Sequence, residues 1–303
     1  MTDPTRSPRG TRAALLVLTL AACSPGDTGR GTGEPVEVCR VSQRSVPLPG
    51  EVRESSGLAV SRRTPGVLWT HNDSGSDPSL FAVDSTGRLL GRVRVTGAEN
   101  KDWEDIAAGP CPGGTCLYVG DTGDNDDDRR DVEVYRFPEP APGDTATRPA
   151  ERITLVYPGG PRDAEALAVL PGGDLLIVTK GKKETVELYR ARAPLRTDAP
   201  VRLTRITGLS SNRPERLHQV TGASATPDGR WVAVRTYTAL HLFRTDDLLT
   251  GGNPASDRVD LAPLTEPQGE AVALRSDGTV FLTSEAPGKG EPGTLSRLVC
   301  ELP

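Results

Sequence analysis

Three glutamates stand at matching places in three similar stretches of this chain: Glu104-Asp-Ile-Ala-Ala, Glu165-Ala-Leu-Ala-Val and Glu270-Ala-Val-Ala-Leu. Carboxylates that converge in a partly desolvated space repel one another, and either protonation or a cation must relieve them. An oxygen-only donor set in a flexible ring suits Ca²⁺ better than zinc or copper. The expected metal ligands are therefore Asp102, Glu104, Asp121, Asp124, Glu165 and Glu270. Glu54, His71, Asn72, Asp73, Lys180, Arg235 and Tyr237 are expected to line the same place and to hold a small polar or anionic ligand. Cations beside a bound metal suit an anion. The competing reading is that the carboxylates cap strand-end amides or pair with arginines.

Such residues need a scaffold that repeats, and the chain has one. Ser56-Gly-Leu-Ala-Val and Thr221-Gly-Ala-Ser-Ala begin like the three glutamate segments. The steps between the five leads (56 to 104, 104 to 165, 165 to 221, 221 to 270) are 48, 61, 56 and 49 residues. After each lead come a Gly- or Pro-containing turn, a second apolar strand and a third strand, such as Val132-Glu-Val-Tyr-Arg. Small, nearly all-apolar first strands suit a position with neighbours on both faces. Fourth strands are expected at Leu89–Val95, Arg152–Tyr157, Val201–Ile206 and Val259–Leu264, and the fifth repeat ends at Cys300 without one.

Four-stranded repeats of about 50 residues are propeller blades. The expected fold is all-β, a single β-propeller over residues 36–303, with five blades, or six if the long second interval merges two. The spare segment Val36–Val46 is expected to close the last blade. A β-sandwich explains neither the constant unit nor the missing final strand. In a propeller the first strand starts, and the second ends, at one face, so the residues named above converge at one channel mouth.

The N-terminus has its own plan. Arg6, Arg9 and Arg12 precede a ten-residue apolar run, Ala13–Ala22, too short for a ~30 Å hydrocarbon core. Leu20-Ala-Ala-Cys23 follows and resembles the lipobox of bacterial lipoproteins. That resemblance implies a signal peptide over 1–22, cleavage before Cys23, a lipid on its thiol, and export with anchoring to the membrane of a bacterial cell envelope. Ser24–Pro35, with four glycines and two prolines, reads as a flexible tether over 23–35.

With Cys23 lipidated, four of the five cysteines remain, an even number for an exported chain. Cys111 and Cys116 flank a tight turn and are expected to pair, which leaves Cys39 with Cys300 across the ring closure. The net charge of −5 includes no basic cluster, so nucleic acid is excluded as a partner. Asp124–Asp128 mimics the start of an EF-hand, but Arg129 stands at position six and Tyr135 at position twelve, so that motif is rejected. No nucleophile elbow, zinc-protease motif or P-loop occurs.

Glu54-Ser-Ser-Gly-Leu-Ala-Val-Ser, Leu68-Trp-Thr-His-Asn-Asp-Ser-Gly75, Asp102-Trp-Glu-Asp-Ile-Ala107 and Leu117-Tyr-Val-Gly-Asp-Thr-Gly-Asp-Asn125 resemble a family of secreted bacterial β-propellers. More distantly the chain is similar to phytase-like, calcium-bearing propellers. The resemblance carries over no catalytic residue. The expected function is a membrane-anchored propeller that binds a small polar ligand or an envelope protein. The alternative is a calcium-dependent phosphoesterase-like hydrolase.

Overall fold

A computed structural model of the chain describes residues 38–182, 185–209, 219–252, 254–286, 288 and 291–302. The expected signal peptide, Cys23 and the tether lie outside the described residues. Five small sheets make a five-bladed β-propeller. Their inner strands are Ser55–Val60, Trp103–Cys111, Ala164–Val169, Val220–Ala225 and Gln268–Leu274. Each inner strand contacts the inner strands of both neighbouring blades, the fifth touching the first, so the ring is closed. Blade 5 takes its fourth strand from the N-terminal side: Cys39–Pro47 pairs antiparallel with Thr294–Cys300.

Both expected disulfides are present, Cys39–Cys300 and Cys111–Cys116. Cys39 lies directly opposite Cys300 in the register, so the bond staples the closing strand to its partner. Loop entropy credits a closure across 261 residues with about 5 kcal/mol at most, and one across 5 residues with about 2. Gly278, in the inner turn of blade 5, is required twice over. Its φ is +79°, and a Cβ would stand 2.0 Å from the Cys300 carbonyl oxygen.

The apolar mass lies between blades rather than within them. Five clusters fill the five wedges: Trp69, Trp103 and Phe137 between blades 1 and 2, for example, and Leu58, Phe81 and Leu295 between blades 5 and 1. Tyr118, Leu167 and Tyr189 fill the wedge between blades 2 and 3. Alternate residues of each strand thus face opposite neighbours, which is why most strands lack a polar face.

Two expected fourth strands differ. Val201–Ile206 is split by buried Leu203: Val201–Arg202 joins the outer edge of blade 2 in parallel, and Thr204–Gly208 completes blade 3. Leu203 packs into the wedge between those two blades, and this burial turns the chain from one sheet to the next. In blade 4 the strand is Asp257–Asp260, and Ala262–Leu264 is a 3₁₀ turn. Pro263 has no N–H to donate to a ladder, so pairing stops before it.

At the axis the inner strands have no sheet partner on one edge, so their N–H groups need acceptors. Asp105 supplies them. Its side chain accepts from its neighbour Ile106 N at 2.8 Å, from Leu167 N of blade 3 at 2.8 Å and from Ala223 N of blade 4 at 3.0 Å. Leu58 N of blade 1 is a fourth donor. The side chain is fully buried; burial pushes its pKa well up while the four donors pull the other way. Arg235 closes the joint between blades 4 and 5, donating to Ala271 O at 2.8 Å and Thr283 O at 3.0 Å and pairing with Glu266, and Ser55 Oγ donates to Thr283 Oγ1 at 2.8 Å between blades 1 and 5.

Replacing Asp105 with Asn puts an amide NH₂ among N–H donors and orphans at least one of them. Asp105→Asn is expected to lose about 2–5 kcal/mol in urea unfolding at neutral pH. A variant within about 0.5 kcal/mol of wild type, the range of ordinary surface changes, would remove the clamp from the account.

Candidate functional site

One backbone irregularity recurs at the mouth of every blade. In blade 1 the register passes from Ser55↔Asn72 to Gly57↔His71, leaving Ser56 as an extra residue. The same shift leaves out Glu104 in blade 2, Glu165 in blade 3 and Thr221 in blade 4, and blade 5 shifts between Gly269 and Val272, around Glu270. A bulge frees one residue from the ladder and re-aims its side chain. These five are the leads of the sequence repeat, and each is at most 4% exposed. Where the lead is short it ties two blades together: Ser56 Oγ donates to Glu104 O and Thr221 Oγ1 to Glu270 O, both at 2.7 Å. The three glutamates have the length to enter the mouth.

There the carboxylates meet. Asp73, Asp102 and Glu104 offer oxygens that all lie within 4.8 Å of one another. The charges of Glu104 and Glu165 act on each other, and Glu165 accepts from Lys180 Nζ at 2.5 Å. Glu270 accepts from Gln268 Nε2 at 2.7 Å. Burial, then the charges of Glu165, Asp73 and Asp102, raise the pKa of Glu104 well above the carboxylate range. Burial likewise raises Glu270 to about 8, Glu165 and Glu285 to about 7, and Asp102 to about 6. Acidic neighbours push all four the same way: Glu285 and Glu165 on Glu270, Asp163 on Glu165, Asp73 and Glu54 on Glu285, and Asp73 and Asp163 on Asp102. Lys180 loses ammonium stability to burial and regains more from Glu165, so its pKa rises. Tyr237, half-buried and next to Glu270, is pushed up to about 12, burial again leading.

Other expected site residues are committed elsewhere. Asp121, fully buried, pairs with Arg129 at 2.8 Å and accepts from Lys101 N. Asp124 accepts from Asp128 N and Arg129 N, so it shapes its own loop. Asn72 holds Arg53 N and Glu54 N and donates to Glu51 O. His71 is buried edge-on to Trp103 with ring centroids 5.5 Å apart, its Nδ1 meets Asn72 O at 3.0 Å, and burial lowers its pKa to about 4. Arg235 is sealed in the joint between blades 4 and 5, where Gly269 leaves room: a Cβ there would stand 2.0 Å from the guanidinium. Glu54 is exposed at the rim.

Glu285, at the exit of a second strand, joins the mouth electrostatically through Asp73 and Glu54. One residue that matters was absent from the expected set. Asp105 had a visible signal: the position after the lead is Gly57, Ala166, Gly222 or Ala271 in the other repeats and acidic only there. Gly123 is the third element of the cradle. A Cβ on it would fall 2.2 Å from Glu104 Oε1 and 2.4 Å from Asp102 Oδ2, so only glycine lets the loop approach these acids.

The mouth sets a pH dependence with a definite sign. Glu270 has a folded pKa near 8 against an ordinary 4.5, so folding retains a proton that the unfolded chain releases. That stabilisation is complete below about pH 4.5 and is lost as pH rises through 8, at up to about 1.4 kcal/mol per unit. In EDTA, Glu270→Gln is therefore expected to gain thermal stability relative to wild type between pH 5 and pH 8.5. Parallel midpoint curves for the two proteins would show that Glu270 is not held protonated.

No protein-family model and no curated protein matches this chain. Among solved structures it is similar to the PQQ-bound aldose sugar dehydrogenase of Streptomyces coelicolor, with a TM-score of 0.50, 14% identity, and 87% of this chain and 98% of that chain covered. It is also similar to the Malassezia sympodialis allergen Mala s 1, with a TM-score of 0.54, 10% identity, and 84% and 96% covered. At these identities the likeness is one of fold, the β-propeller.

Proposed function

We propose that this chain is an exported, lipid-anchored propeller whose acidic channel mouth binds Ca²⁺ and, beside it, a small polar or anionic ligand. The observation that carries the reading is the meeting of Asp73, Asp102 and Glu104 within 4.8 Å, from two blades, against a glycine that only a missing side chain accommodates. None of the three carboxylates has an ion-pair partner within contact distance among the described residues. Their oxygens suit a hard divalent cation, and Ca²⁺ tolerates the irregular geometry that two strand ends and a loop provide. Bound there, the ion would supply the positive charge that the buried glutamate needs and an open coordination face for an oxygen ligand. Lys180, oriented by Glu165, and half-buried Tyr237 would then contact that ligand from the other side of the mouth.

The disulfides support the exported reading, since such bonds persist in oxidising compartments. The phosphoesterase reading fares less well, because it enlists Lys180 and Arg235 against one phosphate. Arg235 is fully buried and paired, which leaves Lys180 alone.

At pH 7.5, Ca²⁺ at a hundredfold excess over its Kd is expected to stabilise the protein by about 3 kcal/mol relative to EDTA. That is a rise of roughly 5 °C or more in the thermal midpoint. Glu104→Gln should abolish the rise, while phosphoester substrates with Ca²⁺ stay unhydrolysed. A midpoint indifferent to Ca²⁺ in the wild-type protein defeats the metal site, and turnover of a phosphoester favours the hydrolase. Separately, Cys23→Ser is expected to move the protein from the membrane to the soluble fraction of the envelope. Retention on the membrane would rule out the anchor.

A further inference from the structure

Asp105 divides the channel, and the face opposite the acids has a different character. There the ends of the inner strands open a funnel of about 570 Å³. Every blade contributes an apolar wall residue: Leu58, Ala107, Val169, Ala225 and Leu274. The size falls within the range of small-molecule sites, which are mostly apolar with a few placed polar groups. Most polar atoms here are already engaged. Ser224 Oγ accepts from Leu274 N at 3.0 Å, and Arg275 and Asp277 pair with each other at 3.1 Å on the rim.

Arg62 is the exception. It lines the funnel half-buried, and its guanidinium has no hydrogen bond or ion pair among the described residues. The acid that acts on it, Glu139, is held by other donors: Ser61 Oγ and Trp69 Nε1 on one oxygen and the backbone N of Arg62 itself on the other. Burial lowers the pKa of Arg62 while Glu139 acts on it only at a distance. A guanidinium stays charged in any protein environment, presents donors in a planar fork and matches a carboxylate bidentately. With the rim pair self-neutralising, the funnel presents one unspent positive charge at the side of an apolar bowl.

We propose that this back-face funnel binds a small amphiphilic carboxylate, its chain against the five apolar walls and its head on Arg62. The site is independent of the acidic mouth, since Asp105 and its amides lie between them. An apolar body recovers hydrophobic stabilisation from burial. A carboxylate head pairs with the one cation among the described funnel residues that has no partner, whereas a hydroxyl head brings no charge and an ammonium head repels it. The proposal therefore makes a statement about head-group charge as well as about shape.

Octanoate, octan-1-ol and octylamine share a chain and differ in head, and titration calorimetry on the purified protein separates them. Octanoate is expected to bind one per chain with a Kd of about 1 mM or tighter. The alcohol and the amine should bind at least tenfold more weakly. Arg62→Gln should reduce octanoate affinity at least tenfold, to the level of octanol, with the thermal midpoint and its Ca²⁺ response unchanged. Arg62→Lys should recover part of the loss. Ala108→Phe, placed in the wall, should reduce binding of all three. The proposal is overturned if octanoate does not saturate, if it binds no better than octanol, or if Arg62→Gln binds it as wild type does.

Discussion

A closed ring of five sheets creates a problem at its centre that the sheets cannot solve. Each inner strand has one edge turned toward the axis, where the ladder of hydrogen bonds ends and water is scarce. One carboxylate, that of Asp105, takes N–H groups from blades 1, 2, 3 and 4. Arg235, reaching from blade 4 to two carbonyls of blade 5, ties in the fifth blade with the opposite charge and the opposite kind of backbone group. The apolar wedges supply the bulk of the stabilisation, but they are non-directional and would tolerate small slips between blades. The two charged side chains set the blades at defined heights around the axis. They also plug the channel, so its two ends can differ as completely as they do.

At one end the dominant physics is repulsion. Carboxylates aimed by successive blades into one mouth stay protonated or attract cations, and the fold has installed one internal cation, Lys180, against Glu165. That relieves blade 3 and leaves Asp73, Asp102 and Glu104 unrelieved. At the other end the physics is hydrophobic, with Arg62 as the only unspent charge among the described groups lining it.

Much of this was legible beforehand. The repeat shows five leads and so points to five blades, with the long second interval leaving room for a sixth. The odd strand at Val36–Val46 and the missing one after Cys300 imply each other, and the cysteines add a covalent reason. Convergence of Glu104, Glu165 and Glu270 follows from their shared place in the repeat. What escaped notice depends on which partner each side chain meets once the chain is folded. Whether Asp121 is a free ligand or a buried half of an ion pair turns on Arg129, and a list of acidic residues cannot decide it. Arg235 reads as a mouth residue by strand position, yet Glu266 and two carbonyls draw it inward. Asp105 is legible only by asking why one repeat breaks a run of glycine and alanine. The split of Val201–Ile206 depends on Leu203 finding a wedge that exists only once two blades have docked.

The bulge at the head of each inner strand has a consequence for how such a protein can change. Because the extra residue lies outside the ladder, its direction is set by the backbone and its identity is not constrained by the interblade cores. Ser56, Thr221 and the three glutamates occupy one geometry with different chemistries. A single codon change at a lead exchanges a carbonyl-holding hydroxyl for a carboxylate, or the reverse, while the strand below keeps its register. The ring therefore offers five separately editable positions around one aperture. A lineage could retune what the aperture accepts blade by blade, with the folding instructions left in the residues that follow.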